Sequence, residues 1–377
     1  MLYQKVQLYH TESENSIFQE SISYSEMSQF QQDFLCGLLK RKRPKKIVEI
    51  GVSAGGTSVI ILNALKQLSI NAKIFSVDVS ESWYRSKNLK TGFVAKKYLE
   101  ENDDCPRIDF LLGQSIPHVI DIIGREIDFL ILDTMHTLPG ELLDFLICLP
   151  YLQNKSIVIL HDVMEDHLHC CSSKIATKLL FNLVTGKKWY MPEEKTGVCS
   201  FSNIAAFEVS ECTRKNICDV FSGLTMLWDY MLSDEDVKKY MELLKMHYPK
   251  EEAEWVEKII DLQKYSYFRK KISTHYQMDD EWLKRKWKKQ KIVFLYGSAH
   301  WAKIYTEYAK INNLPLNGWV VSNDQNIADC GQSGLPVYHL KDLPYSSEEC
   351  AIVLALDKRY FDTVKKNLFA EGDFMVL

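Results

Sequence analysis

The run Ile47-Val48-Glu49-Ile50-Gly51-Val52-Ser53-Ala54-Gly55-Gly56-Thr57-Ser58 joins an apolar, β-branched strand to a glycine-rich turn and then to the start of a helix. Glycine lets the backbone approach a ligand closely, and free amides at a helix N-terminus can face that ligand. Such a turn also occurs where packing alone demands it, so by itself it leaves both readings open. The next apolar run, 73–78, ends on Asp78, about 27 residues beyond Gly51. A carboxylate at that distance, closing the second strand, is placed to accept hydrogen bonds from ribose hydroxyls.

Outward from this stretch, short runs rich in Val and Ile alternate with amphipathic segments. Strands are expected at 46–51, 73–78, 108–112, 127–133 and 156–161, with extended segments at 188–191 and 198–209 and a helix at 27–39 before the first. Near-continuous hydrophobicity in the strands implies cover on both faces, so the expected fold is α/β, a doubly wound and mostly parallel seven-stranded sheet. From 211 to 290 the pattern turns helical and charged, including 234–246 and 251–265, and reads as a helical connector or lid. Alternation resumes with a strand at 292–296, a turn at Gly297, a helix at 300–312 and strands at 316–321 and 351–356. The expected organisation is therefore 1–210, a connector over 211–290, and a smaller Rossmann-like domain over 291–377.

Composition narrows the function. The chain has 377 residues, 46% hydrophobic and 25% charged, as in an ordinary globular protein. Its formal net charge of −4 argues against a protein built to grip nucleic acid. Basic runs at 40–46 and 284–291 read as solvated edges or as contacts for an anionic ligand or membrane surface. There are ten cysteines without a C-x-x-C pair, which points to reduced thiols. His167, His169, Cys170 and Cys171 form the one cluster resembling zinc chemistry, although adjacent cysteines rarely both reach one ion. No basic-then-apolar leader opens the sequence and no 18-residue apolar run occurs, so a cytoplasmic location without stable membrane insertion is expected.

A second constellation lies downstream. Asp133 closes the fourth strand, His136 follows three residues on, and His161-Asp162 closes the fifth. The C-terminal ends of neighbouring parallel strands open on one crevice, so these side chains can converge. Asp133 and Asp162 could hold a divalent cation through oxygen, and His136 could serve as general base near neutral pH. Strand-end aspartates also cap loops, and His161 suits a buried hydrogen-bonded role as well as a ligand's.

The E-x-G-x-x-x-G spacing from Glu49 to Gly55, with Asp78 ending the second strand, resembles the motifs of class I S-adenosylmethionine-dependent methyltransferases. By that resemblance Glu49, Gly51, Ser53 and Gly55 line the methionine and ribose part of the cofactor, Asp78 holds the ribose, Gln114 and Ser115 lie at the adenine, and Asp133 borders the site. The pattern Asp133-x-x-His136 followed by His161-Asp162 is similar to the branch of macrolide-sugar O-methyltransferases and cephalosporin-hydroxylase-type proteins. That branch implies Mg2+-assisted, histidine-based transfer to a hydroxyl, with Asp133, His161 and Asp162 as cation ligands and Asp133 and His136 as the catalytic pair. Met135 stands where a second acidic residue is common, and His161 where some members carry a metal-binding Glu. The resemblance covers about half of the chain.

The later run Leu295-Tyr296-Gly297-Ser298-Ala299-His300-Trp301-Ala302-Lys303, with Gly318 to Asp324 and Gly334 to Tyr338 beyond it, resembles the opening of small Rossmann-like domains in sugar-nucleotide and surface-glycan enzymes. Ala299 and Ala302 replace two fingerprint glycines and obstruct close pyrophosphate approach. Trp301, Trp319 and Tyr338 are candidates for stacking on a sugar or base, or for the core. The expected activity is S-adenosylmethionine-dependent O-methylation of a sugar hydroxyl, on a small molecule or glycan. The last domain would present substrate, pack, or support a homo-oligomer. Two other readings stay open: a nucleotide-sugar-binding module or oxidoreductase acting through the last domain, and a non-catalytic S-adenosylmethionine-binding protein.

Overall fold

The computed structural model describes residues 3–11, 16–102, 104–193, 201–277, 279–297, 300–322 and 334–377. The chain divides into two compact units, Met1–Ile259 and Ile260–Leu377. In the first, strands β1 (Lys46–Ile50), β2 (Lys73–Asp78), β3 (Ile108–Leu112), β4 (Ile127–Leu132), β5 (Leu152–His161), β6 (Lys188–Trp189) and β7 (Ile204–Glu208) form one seven-stranded sheet in the order β3-β2-β1-β4-β5-β7-β6. The first five strands run parallel, while β7 lies antiparallel between β5 and β6. The chain order reverses at β1 and β4, so a crevice opens beyond their C-terminal ends, where α/β sheets take their ligands.

Both faces of the central strands are buried, which accounts for their unbroken apolar runs. Ile47, Ile74, Phe129, Ile131, Ile157 and Ile159 pack against Val59, Ile60 and Leu62 of the helix Gly56–Gln67 and against Phe34, Leu35 and Leu38 of the helix Gln29–Lys42. The helix Gly56–Gln67 is buried from Gly56 to Leu65, so the glycine loop that feeds it is fixed from both sides. The helix Gln29–Lys42 starts with a capping box: the Ser28 hydroxyl accepts from the Gln31 amide, and Gln31 Oε1 accepts from the Ser28 amide at 2.9 Å. At the far edge, Gln4 pairs with Trp189 of β6, its amide donating to the Lys188 carbonyl at 2.9 Å.

In the second unit, β8 (Val293–Tyr296), β9 (Gly318–Val321), β10 (Val337–His339), β11 (Ala351–Leu354) and β12 (Met375–Val376) form a five-stranded, all-parallel sheet in the order β10-β9-β8-β11-β12. Alternate residues enter separate cores. Val293, Leu295, Trp319 and Val353 meet Leu283, Trp287, Tyr305 and Tyr308, while Phe294, Tyr296, Val320 and Ile352 meet Val364 and Leu368. Trp319 is thus core, and its indole donates to Thr306 Oγ1 at 3.0 Å. Trp301 stacks on His275 with ring centroids 3.7 Å apart.

The segment read as one helical connector, 211–290, is not a body of its own. The helices Glu211–Lys215, Cys218–Gly223 and Asp234–His247 lie in the first unit, the helix Asp280–Lys288 lies in the second, and the division falls within the helix Lys250–Tyr276. Ser298 and Ala299 of the second glycine turn, with Asn323, Asp324 and the start of the expected 198–209 strand, lie outside the described residues. No helix among the described residues is long and apolar enough to cross a membrane.

Candidate active site

The strand β1 delivers the glycine loop to the crevice. Gly51 (φ +96°) and Gly55 (φ +98°) both adopt the left-handed conformation that side chains disfavour. A Cβ on Gly51 would fall 1.7 Å from the carbonyl oxygen of Asp133, so only glycine lets the ends of β1 and β4 come this close. The Asp133 amide donates to the Ile50 carbonyl at 2.9 Å across the same gap. The loop therefore touches the residue that opens the second constellation.

Glu49 lies beneath the loop, fully buried. Its Oε2 accepts from Ser58 Oγ and Ser76 Oγ, each at 2.6 Å, while its Oε1 is buried without a hydrogen-bond partner. Burial pushes this carboxyl up to about 7, against the two hydroxyls that favour its charged form. Asp78, at the end of β2, grips the loop itself: its Oδ2 accepts from the Val52 amide at 2.9 Å and from the Ser53 amide at 3.0 Å, and its Oδ1 accepts from Ser80 at 2.8 Å. Ser53 Oγ accepts from the Trp83 indole at 3.2 Å. Beyond β3, the Gln114 amide donates to the Asp78 carbonyl at 3.2 Å, and Gln114 is itself exposed. Ser115 caps the helix Ile116–Ile123, but its hydroxyl is spent on Asp236 of the helix Asp234–His247 at 2.7 Å, with His118 Nε2 3.2 Å from the same oxygen.

The second constellation gathers at the ends of β4 and β5. His136 Nε2 lies 3.0 Å from Asp162 Oδ2 and 3.8 Å from Asp133 Oδ1, and its Nδ1 lies 3.3 Å from Glu141 Oε1 and 3.3 Å from Thr177 Oγ1. His161 Nδ1 lies 3.0 Å from Asp133 Oδ1, and its Nε2 lies 3.3 Å from Gln31 Oε1. Asn203 donates to Asp162 Oδ1. His136 and Asp162 both hold φ near +59°. For residues with a Cβ, that conformation costs roughly 1–2 kcal/mol, which their hydrogen bonds offset.

Charge follows from this geometry. Burial alone would lower His136, but the carboxylates of Asp162, Glu141 and Asp133 outweigh it and hold the imidazole up at about 10. Burial likewise opposes protonation of His161, yet Asp133 and Asp162 push it up to about 9. The Asp162 carboxyl is held below its usual range, since the two imidazoles overcome the effect of its burial. Among the described residues, Asp133, His136 and Asp162 are the one group of His, Cys, Asp and Glu whose ligand atoms converge, all within 4.8 Å. His161, expected as the third ligand, lies outside that group, with Nδ1 3.0 Å from Asp133 Oδ1 and Nε2 3.3 Å from Gln31 Oε1. His167, His169, Cys170 and Cys171 do not form such a group.

Glu141, Thr177, Asn203 and Gln31 went unseen in the sequence. Glu141 carried a weak signal, an acidic residue in the first turn of a helix shortly after His136; the others come from distant elements.

Residues 48–163 match the family model described as a methyltransferase domain. That span runs from β1 through Asp162 and so contains the glycine loop, Asp78 and the Asp133–His136–Asp162 group. Among curated proteins, none matches the chain. Solved structures similar to this chain include the O-methyltransferase TomG of Streptomyces achromogenes, involved in tomaymycin synthesis and in complex with SAM, at 15% identity and TM-score 0.41, covering 52% of this chain and 91% of that one. An O-methyltransferase from Bacillus cereus in complex with SAH is similar at 15% identity and TM-score 0.39, covering 52% and 92%. The SAH-bound Podospora anserina methyltransferase PaMTH1 is similar at 11% identity and TM-score 0.40, covering 53% and 91%. Likeness at this level carries nothing further.

Proposed function

We propose that the first unit is an S-adenosylmethionine-dependent O-methyltransferase in which the glycine loop holds the donor and the Asp133–His136–Asp162 group receives the acceptor hydroxyl. The observation that carries this reading is the contact between the two sites: the loop at Gly51 packs on the Asp133 backbone, so a donor above the loop and an acceptor at His136 are neighbours. The residues fit the cofactor. The left-handed Gly51 and Gly55 let the loop turn tightly at the end of β1, Glu49 Oε1 is a buried acceptor without a partner, and Asp78 Oδ1 keeps a lone pair beyond its bond to Ser80. Glu49, Gly51, Ser53, Gly55, Asp78 and Asp133 would line the methionine and ribose, with Gln114 and Ser115 toward the adenine through backbone groups.

S-adenosylmethionine supplies a sulfonium-bound methyl group as electrophile. The acceptor oxygen would form the new O–C bond as the C–S bond breaks, the electron pair leaving with sulfur, and His136 Nε2 would take the hydroxyl proton. The protein aligns the partners for an in-line displacement and takes that proton. A base must arrive without its own proton, and His136 is an imidazolium when carboxylates alone face it. The donor set of two carboxylates beside an imidazole fits a hard divalent cation, with Asp133 and Asp162 as its ligands. Asp133 and Asp162 would hold such a cation, whose positive charge would offset their carboxylates and leave His136 neutral to take the proton.

The finer assignment, a sugar hydroxyl on a small molecule or glycan, is supported by the resemblance of the last 87 residues to domains of sugar-nucleotide and glycan enzymes. Calorimetry with S-adenosylhomocysteine, NAD and UDP-sugars tests the whole reading. Binding of S-adenosylhomocysteine that is lost in Gly51→Trp supports it. No such binding, or unchanged binding in that variant, overturns it.

A further inference from the structure

Glu141 is fully buried in the first turn of the helix Gly140–Cys148, where its charge meets the positive end of the helix dipole. One of its oxygens, Oε1, is a three-way junction. It accepts from the His136 amide at 2.7 Å and from Thr134 Oγ1 at 2.9 Å, and it faces His136 Nδ1 at 3.3 Å. Its Oε2 is buried without a hydrogen-bond partner, so nothing else in the described residues competes for the side chain. The three groups it holds belong to the turn that directly follows Asp133, and that turn carries His136 in a left-handed conformation at φ +59°. The Ala176 amide, donating to the His136 carbonyl at 3.0 Å, closes the turn from the other side.

We propose that Glu141 is the positioning residue for His136, its buried carboxylate locking both the backbone turn and the imidazole so that Nε2 faces Asp162 and Asp133. The inference deepens the methyltransferase reading and rests on it for the use made of Nε2. A ring free to rotate about its side-chain bonds would present either nitrogen, or neither, to an acceptor hydroxyl. With Nδ1 turned to Glu141 Oε1 and Thr177 Oγ1, each at 3.3 Å, Nε2 is left facing Asp162 and Asp133. Glu141 touches neither donor nor acceptor; it acts through His136. Groups that orient a working histidine in this manner typically change affinity or activity tenfold to a hundredfold when removed.

The test uses the full chain, labelled with 15N at histidine and backbone. In the unmodified protein the His136 ring gives one fixed set of nitrogen signals with a proton on Nδ1, and the His136 amide exchanges slowly. In Glu141→Ala the ring nitrogen signals shift and broaden, since Thr177 and Asp162 alone then hold the imidazole, and amide protection falls at least tenfold, while the Val52 and Ser53 amides stay within twofold. Glu141→Gln keeps an accepting oxygen in place without the charge, and it covers the case in which the alanine variant does not fold. There the amide stays protected and the Nδ1-bound proton signal moves and broadens. A folded Glu141→Ala that keeps both the fixed ring signals and the protected amide overturns the proposal, and so does an unchanged ring signal in Glu141→Gln. Titration with S-adenosylhomocysteine tests the underlying methyltransferase reading separately, since the ring and amide signals decide the role of Glu141 whichever way that titration falls.

Discussion

Replacing Glu49 by Gln should reverse part of the pH dependence of the first unit's stability. The carboxyl is fully buried, and burial raises it from its ordinary 4.5 to about 7. An acid raised in the folded state keeps a proton that the unfolded chain has released, so wild-type stability falls as pH climbs from 4.5 through about 7 and the whole cost is present above that. Each tenfold in proton affinity is worth about 1.4 kcal/mol, so the full cost is about 3 kcal/mol, of which about 2.5 kcal/mol falls between pH 5 and pH 8. Gln keeps an acceptor for Ser58 and Ser76 and cannot ionise, so it escapes this cost. Because the two units need not unfold together, the measurement is hydrogen exchange at the amides of β1, which open only with the first unit. The protection ratio of Glu49→Gln to wild type should rise by about two orders of magnitude from pH 5 to pH 8. A ratio that changes by less than about fivefold, about 1 kcal/mol, refutes the reasoning that Glu49 is held protonated by burial.

Removing the His136 side chain as Ala should leave S-adenosylhomocysteine affinity within about twofold and lower methyl transfer by about a hundredfold or more, read by calorimetry and by transfer of labelled methyl; full activity would show that another group takes the proton. Mg2+ should support turnover after treatment with EDTA, whereas Zn2+ should inhibit, because a softer cation also takes the imidazole and removes the base; equal activity with both would argue against separate roles for the carboxylates and His136. Asp236→Asn should cost about 1 kcal/mol in denaturant unfolding of the first unit, since its partly exposed carboxylate meets both Ser115 and His118; an unchanged midpoint would mean that the pair contributes nothing.

The sheet's central strands were readable because burial on both faces leaves an uninterrupted apolar run, and Asp78, Asp133 and His161-Asp162 were readable as strand-end residues because such runs stop where the crevice begins. The pairing order was less so. That β7 slips between β5 and β6 is a long-range choice with no local period to announce it. His161 looked like a cation ligand from its place beside Asp162, yet the partner that occupies its Nε2, Gln31, lies 130 residues away at a helix start. Asn203 reaches Asp162 across 41 residues. Over 211–290 helical periodicity is local, and it does not say that Leu283 and Trp287 belong to a different core from Tyr240 and Leu244.

The pairing of Gln4 with Trp189 has a consequence for synthesis. The Val6 amide, just beyond it, donates to Met191 across 185 residues. At about 5–20 residues per second, the opening segment leaves the ribosome about 10–40 s before its partner strand exists. For that interval the segment waits without its partner, and its eventual place is a single bridge beside the edge strand β6, where an unpaired backbone invites other chains. The same stretch that covers the edge of the finished sheet is thus open to other chains until Trp189 has been made.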